Sequence, residues 1–338
     1  MIVIKKYGGS IIRNIKMLSV IKNNILKNYN PNNKYIIVLS AIKNLTNKLI
    51  DVSNEFNLDY LKDELIKEGE NISCIGLYKE LNKEIKTKII YPVDINLQVD
   101  NSSIIQLNIK KLLDFFNDYN ILIIPGFYGI NEENETRLLP RNSSDTTALY
   151  IYNELVKNNI STECKLYKDE VLYQIDPKIK KSKHIEHISY DELDLIKEYN
   201  NHLISKEGMN IIINNKLPLS IINFFTNKKS EISSKESYYN LLGKYYQKGY
   251  IVKITNIKNN KIFNYINKVK FDIIDKDINS VMFYTNQKLL KHLQILKLID
   301  SSIKYKVSNK YKVISIYKTN KAIMYLDNIL EDIYETAI

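Results

Sequence analysis

The sequence predicts an α/β fold with a mostly parallel central sheet, followed by a smaller C-terminal α+β module. Three observations predict it. Strand-like and helix-like segments alternate over the first 225 residues, the rhythm of an α/β domain. The strand runs are apolar throughout, as in a sheet covered on both faces. After a polar stretch at 226–237 the texture changes to short alternating strands and helices.

The elements follow in order. Residues 2–7 interleave Val and Ile as a strand, and Gly8-Gly9-Ser10 breaks it. Ile11, Ile15, Leu18, Ile21 and Ile25 then fall on one helical face. Residues 35–40 read as a buried strand and 61–81 as a helix. A helix over 107–116 precedes a strand over 121–124, which Pro125-Gly126 stops. Asp145 is a plausible N-cap for a helix over 146–156. Strands follow at 164–167 and 219–225. Residues 226–240 read as a linker. Beyond it, strands are expected at 250–254, 271–274, 280–284 and 311–317, and helices at 262–269, 289–298 and 322–334.

The 338 residues suffice for about two domains. An apolar fraction of 44% and a charged fraction of 26% are those of an ordinary globular protein and exclude wholesale disorder. No apolar run approaches the ~20 residues of a membrane span, and the opening residues are too soon broken by Lys and Gly for a secretory signal. Cys74 and Cys164 alone exclude a disulfide framework and point to a reducing cytoplasm. A net charge of +11 suits anionic partners, but the lysines are scattered, which favours a small anionic substrate over nucleic acid. The Ile, Asn, Lys and Tyr excess, with nine Gly and no Trp, reads as AT-rich coding.

Several clusters carry possible chemistry. Lys6-Tyr-Gly-Gly-Ser10 sits between a strand and a helix, where backbone N–H groups approach a phosphate and Lys6 neutralises its charge. It lacks the Walker A spacing. Ser40 and Thr46 follow a buried strand, at the end where ligands gather in open α/β sheets. Glu70 lies in a helical region and suits a substrate ammonium. Arg137 to Thr147 is the densest polar stretch, and Arg141 within it suits a carboxylate or phosphate. Tyr167, Asp169, Tyr173, Asp176 and Lys178 offer an adenine and ribose pocket. Read alone, each cluster has a bland alternative: a tight turn, a helix cap, a solvated Glu, a charged loop. His184, His187, His202 and His292 lack zinc-ligand spacing with Cys.

In order and in register, these pieces over residues 1–225 resemble aspartate kinase, of the amino-acid-kinase superfamily. Lys6-Tyr-Gly-Gly-Ser10 resembles its Lys-Phe-Gly-Gly-Thr-Ser. Val38-Leu-Ser40-Ala41 with Thr46-Asn47 resembles Val-Ser-Ala with Thr-Asp/Asn. Gly69-Glu70-Asn-Ile-Ser73 resembles Gly-Glu-x-x-Ser. Pro125-Gly-Phe-Tyr-Gly129, Glu135-Thr136 and Arg141-Asn-Ser-Ser144-Asp145-Thr-Thr-Ala148 resemble Gly-Phe-x-Gly, Gly-Glu-Thr and Arg-Gly-Gly-Ser-Asp-x-Thr-Ala. Asp169, Tyr173 and Asp176-Pro-Lys178 resemble Thr-Asp, Tyr and Asp-Pro-Arg. The chain departs from the pattern at Ile11, Pro140, Asn142, Ser143 and Lys168, and the family's nucleotide-side lysine falls at Leu203. The departures lie mostly on the ATP side.

The resemblance implies an amino-acid-kinase-type sandwich over 1–225, a linker over 226–240 and an ACT-like regulatory or dimerisation region over 241–338, a reduced or degenerate pair. It implies phosphoryl transfer from ATP, with Mg²⁺ carried by the ATP phosphates, to the side-chain carboxylate of L-aspartate, at the head of lysine, threonine and methionine biosynthesis. Lys6 and Asp145 would be catalytic. Ser40, Thr46, Glu70, Arg141 and Ser144 would bind aspartate. Lys6, Gly8, Gly9, Ser10, Asp169, Tyr173, Asp176 and Lys178 would bind ATP. No protein metal ligand, nucleic acid or membrane partner is implied, and a homodimer or larger assembly through the C-terminal module is. The alternatives are a catalytically weak homologue acting as a regulatory or binding subunit, and a kinase of another small acid.

Overall fold

A computed structural model describes residues 1–56, 61–100, 103–175, 182–197, 203–269, 271–285, 289–317 and 330–331. The chain divides into two compact units, Met1–Gln174 with Ser182–Tyr239, and a second built from Asn240 onward.

The first unit opens with β1 (Ile2–Tyr7), α1 (Lys16–Lys27), β2 (Lys34–Leu39), α2 (Leu45–Glu55) and α3 (Lys62–Leu81). Next come β3 (Thr87–Ile89), β4 (Gln98–Asp100), β5 (Ser103–Gln106), α4 (Ile109–Asp114), β6 (Ile121–Pro125), β7 (Tyr128–Ile130) and β8 (Thr136–Leu138). It continues with α5 (Ser144–Lys157), β9 (Thr162–Lys168), β10 (His187–Ser189), α6 (Tyr190–Ile196), α7 (Lys206–Asn215), β11 (Leu219–Asn223) and β12 (Lys229–Ser233).

Eight strands form one sheet in the order β10-β12-β11-β9-β1-β2-β6-β3. The pairs running from β11 to β3 are all parallel, so this is the mostly parallel sheet the apolar runs predict. Alternation along β1 divides its side chains between two faces. Val3 and Tyr7 join Leu18, Ile21, Ile25, Cys74, Leu77 and Leu81 in a core under α1 and α3. Lys6 takes the opposite face, where α5 packs on β9, β1 and β2. A smaller sheet, β5-β4-β7-β8, lies beside it.

Several expectations need correction. The helix expected from Ile11 starts at Lys16: Ile11 and Ile12 are buried in the preceding turn, and Ile15 is 64% exposed. The linker expected over 226–240 contains β12, which pairs antiparallel with β11. Its Lys-Ser-Glu-Ile-Ser sequence buries only Ser230 and Ile232, so its hydrophobic signal is faint. The short strands β3, β4, β5, β7, β8 and β10 carried no separate signal.

The second unit is β13 (Leu241–Thr255), α8 (Lys261–Val269), β14 (Asp272–Asp277), β15 (Ser280–Thr285), α9 (Leu289–Ile299), β16 (Lys304–Tyr317) and β17 (Leu330–Glu331). Its antiparallel sheet has the order β14-β15-β13-β16-β17. Val252, Ile254, Ile262, Ile266, Val281 and Leu296 form its core, with Phe271 stacked on Phe283 at 4.6 Å. The described residues hold one β-α-β-β-α-β module rather than a pair. Of the helix expected at 322–334, Leu330–Glu331 is strand and the rest lies outside the described residues.

Candidate active site

β1, β2 and β6 end at the same edge of the sheet, where the chain turns out of each strand. After β1, Gly8-Gly9-Ser10 turns back under Ala41. A Cβ on Gly9 would stand 3.2 Å from the Ala41 carbonyl oxygen, so the residue gives the turn its close approach. After β6, Gly126 lets α5 reach the sheet: a Cβ there would lie 2.6 Å from Ser144 Cβ. The turn before α5 is left-handed at Asn142, with φ of 68°. Asn tolerates that region better than other side-chain-bearing residues, so the turn survives where the resembling motif has Gly. The chain repeats this device widely. Among the described residues, seven of the nine left-handed non-glycine residues are Asn, and Asn44 beside the cavity is another with φ of 68°.

Asp145 is not the N-cap of α5. Ser143 holds that position, with no side-chain capping bond, and Asp145 sits in the first turn, 1% exposed. Its carboxylate turns to the sheet and takes two ammonium groups. Lys6 Nζ lies 2.7 Å from Oδ1, and Lys168 Nζ lies 2.6 Å from Oδ2. Burial opposes the Asp145 charge, but Lys168 and Lys6 outweigh it and hold the carboxyl below its ordinary value. The helix N-terminus favours the same charge. Burial brings Lys6 down to about 8 against the pull of Asp145, and the like charge of Lys168 adds to the fall.

Glu70 projects from α3 and is 4% exposed. Its Oε1 accepts the Ala41 N–H at 3.2 Å, while Oε2 has no hydrogen-bond partner among the described residues. Burial pushes its carboxyl up to about 8, although the Ala41 N–H and the Lys6 charge favour the ionised form. The next residue, Asn71, accepts the Tyr128 hydroxyl at 2.8 Å, which ties this turn of α3 to β7. Ser40 Oγ and Ser144 Oγ share a hydrogen bond of 2.5 Å between the end of β2 and the start of α5. Arg141 donates to Asn47 Oδ1 across the opening.

These side chains border one cavity of about 540 Å³. Lys6, Gly8, Gly9, Ser10 and Asp169 line it, as do Ser40, Thr46, Glu70, Arg141 and Ser144. Asp145 stands behind Lys6. Two groups are visible within it: Lys6, Lys168 and Asp145 around Gly8, and Glu70, Thr46 and Ala41 around Gly9 and Gly69. Tyr173 does not line the cavity. It bridges to His184, whose ring lies tilted against its own, and Lys228 sits over its ring. Asp176 and Lys178 lie outside the described residues.

Lys168 is the principal site residue that reading for function missed; it stood out only as a departure from the resembling motif. Leu203, in place of the family's lysine, lines the same cavity. Phe127 forms another part of the wall in a left-handed conformation, φ 73°, uncommon for a bulky residue. Arg137 pairs with Glu135 at 2.6 Å away from the cavity. The histidines make local contacts: His184 with Ser230, His187 with Glu231, and His292 with Tyr265; His202 lies outside the described residues. Among the described residues no three or more His, Cys, Asp or Glu gather as a metal set. Cys74 and Cys164 are free and buried.

Residues 1–223 match the amino acid kinase family. The chain belongs to that family. Among its relatives, the aspartokinase of Rickettsia conorii is 27% identical over 277 residues, covering 76% of this chain and 65% of its own length. The aspartokinase of Geobacillus stearothermophilus is 23% identical over 245 residues, 70% of this chain and 59% of its own. The chain therefore spans about half to two thirds of such relatives. In structure it is similar to E. coli aspartokinase III, solved with aspartate and ADP, with a TM-score of 0.63 at 16% identity, over 93% of this chain and 88% of that one. Clostridium acetobutylicum aspartate kinase gives 0.65 at 18% identity, over 93% and 86%. These structures share the mixed α/β fold with its large, mostly parallel sheet. No helix among the described residues is long and apolar enough to cross a membrane.

Proposed function

We propose that this family member is an aspartate kinase, which transfers the γ-phosphoryl group of MgATP to the side-chain carboxylate of L-aspartate and yields 4-phospho-L-aspartate. The observation that carries this reading is Glu70. A buried carboxylate with an unpartnered oxygen, on a cavity that also holds a two-lysine cluster, calls for a cationic partner, and the α-ammonium of an amino acid supplies one. An acetylated amine or a nucleotide would not. Arg141 offers its planar fork to the α-carboxylate, and Ser40, Thr46 and Ser144 supply hydroxyls around it. The named activity of the aspartokinase relatives supports the same substrate.

On the ATP side, Lys6 and the turn after β1 receive the phosphates. Gly8 N–H is engaged by the Tyr167 carbonyl at 3.4 Å, so Gly9 and Ser10 are the amides for phosphate oxygens, and Gly8 contributes space. Asp169 lies within reach of the cavity for the ribose, or for the phosphate-bound Mg²⁺, which keeps most of its ligands from phosphate and water. Tyr173 drops out of the nucleotide assignment, since it lies off the cavity against His184 and Lys228, and Asp176 and Lys178 keep the role given them by resemblance.

An aspartate carboxylate is ionised near neutral pH, so no base has to remove a proton. The bond from the γ-phosphorus to the β,γ-bridging oxygen breaks as a bond to a carboxylate oxygen forms. Lys6 stabilises charge on the transferring group, and Asp145 positions Lys6. Most of the acceleration comes from holding two anions in line.

The β-α-β-β-α-β order of the second unit supports an ACT-like regulatory or dimerisation region and a homodimer or larger assembly. Two free, buried cysteines support a cytoplasmic setting. The product fits the first step toward lysine, threonine and methionine. The test is a trap: protein, MgATP and hydroxylamine form a hydroxamate only when L-aspartate is present, and Lys6→Ala lowers the rate about 100-fold or more. A wild-type protein giving no aspartate-dependent hydroxamate overturns the reading.

A further inference from the structure

Lys168 closes β9, and its backbone is fixed. It stands in register with Asn223 on β11, and its carbonyl accepts the Phe224 N–H at 2.8 Å. Its side chain is only 11% exposed, and Lys6 is 3% exposed. Each ammonium is ion-paired with one oxygen of Asp145, so that carboxylate bridges two cations. The cluster therefore carries one positive charge more than it neutralises.

An excess buried charge is costly unless something compensates it. Here the compensating group has an evident place. Gly8 lies between the two stems: a Cβ there would be 3.5 Å from Lys6 Nζ and 3.7 Å from Lys168 Cδ. Both lysines line the cavity at that point. A lysine has three N–H donors; Lys168 gives one to Asp145 Oδ2, and Lys6 is ion-paired with Oδ1. Two protons on each ammonium remain to be directed at an anion over Gly8. Burial, with the like charge of Lys168 adding to it, lowers the Lys6 pKa to about 8, in keeping with a cationic cluster short of a counter-charge.

We propose that Lys168 is a second catalytic cation, which together with Lys6 clamps the phosphoryl oxygens of ATP over Gly8 while Asp145 holds the two ammoniums apart. The inference rests on the kinase reading and adds a residue to it. As the bond to the bridging oxygen breaks and the bond to the aspartate carboxylate forms, Lys168 donates hydrogen bonds to oxygens whose charge is redistributing. Its proton stays on nitrogen throughout.

The test compares wild type with Lys168→Met, Lys168→Arg and Lys168→Ala. Lys168→Met leaves a neutral Lys6–Asp145 pair, so the fold is retained, with the melting temperature lowered only by the lost hydrogen bond to Asp145 Oδ2. Its kcat falls about 100-fold or more while KM for aspartate stays within about twofold, and ATP raises its melting temperature less than it does for wild type. Lys168→Arg restores part of the rate. Propylammonium added to Lys168→Ala restores part of it with saturation. The inference is overturned if Lys168→Met retains kcat within about threefold. It is also overturned if the loss resists both Arg and propylammonium, which would make Lys168 a structural prop for Asp145. If wild type forms no hydroxamate, the kinase reading fails on its own. Lys168 is then judged by ATP-induced stabilisation: equal shifts in wild type and Lys168→Met refute it, and a reduced shift in the variant upholds it.

Discussion

Glu70→Gln separates the cost of the site from its use. Folded Glu70 keeps its proton to about pH 8, whereas an unfolded glutamate loses it near 4.5. Between those values the folded state binds more protons than the unfolded one, so Glu70 makes stability fall as pH rises. From pH 4.5 to 7 is about 2.5 pH units, and at about 1.4 kcal/mol each this amounts to about 3 kcal/mol. Gln has the shape of the protonated acid, and its Oε1 still accepts the Ala41 N–H. The ligand-free variant is therefore more stable than wild type by up to about 3 kcal/mol at pH 7, and by little at pH 4.5. Urea unfolding across this range measures the difference. The same change removes the partner of the substrate ammonium, a charge-assisted bond of about 1.5–3 kcal/mol, so KM for aspartate rises about 10- to 150-fold. KM for ATP is unchanged. A variant that is less stable at pH 7, or whose advantage does not grow with pH, refutes the buried-carboxylate reasoning. An unchanged aspartate KM refutes the ammonium assignment.

The ratio kcat/KM for aspartate follows a narrow bell centred near pH 8. Glu70 must ionise on the acid side and Lys6 must keep its proton on the alkaline side, each at about 8 in the free protein. Glu70→Gln removes the acid limb, and a flat profile from pH 6 to 10 contradicts both assignments. Lys5 and Lys6 both titrate at about 8 when folded, against 10.5 unfolded, so they make the urea midpoint rise between pH 8 and 10.5. A midpoint falling steadily through that window counts against their burial. Arg141→Lys raises KM for aspartate about 10-fold or more, because a point charge replaces a planar fork; initial rates at saturating ATP decide it. Gly126→Ala drives a methyl group into Ser144 and lowers stability by about 1–3 kcal/mol, measurable by urea unfolding, whereas Gly76→Ala meets only the flexible Leu18 side chain and costs less.

The core strands β1, β2 and β6 were legible because they are buried on both faces and read as largely apolar runs, whereas β9 is only partly buried and showed just its 164–167 stretch. α2 escaped notice because only Ser53 of its eleven residues is buried, leaving no apolar stripe to see. β12, one strand in from the sheet's edge, escaped for the same reason. In the site, Lys6, Glu70 and Arg141 were legible through local motif order: Lys6 and Arg141 stand beside turns that the sequence marks with Gly or Pro, and Glu70 follows Gly69 within α3. Asp145 was read as a cap because an acidic residue opening a helix ordinarily is one. Its partners lie 139 residues before it and 23 after it, and only the register of β1 with β9 brings them together. That pairing is also why Lys168 remained a mere departure from a motif until the strands were in place.

The most direct measurement is the structure of the protein crystallised with L-aspartate and a non-hydrolysable ATP analogue. Both ligands are expected in the cavity between β1 and α5, with a side-chain oxygen of aspartate about 3–3.5 Å from the terminal phosphorus. Glu70 should meet the ammonium and Lys6 the phosphate. Aspartate and nucleotide bound in separate cavities, or Glu70 turned away from the amino acid, would contradict the account.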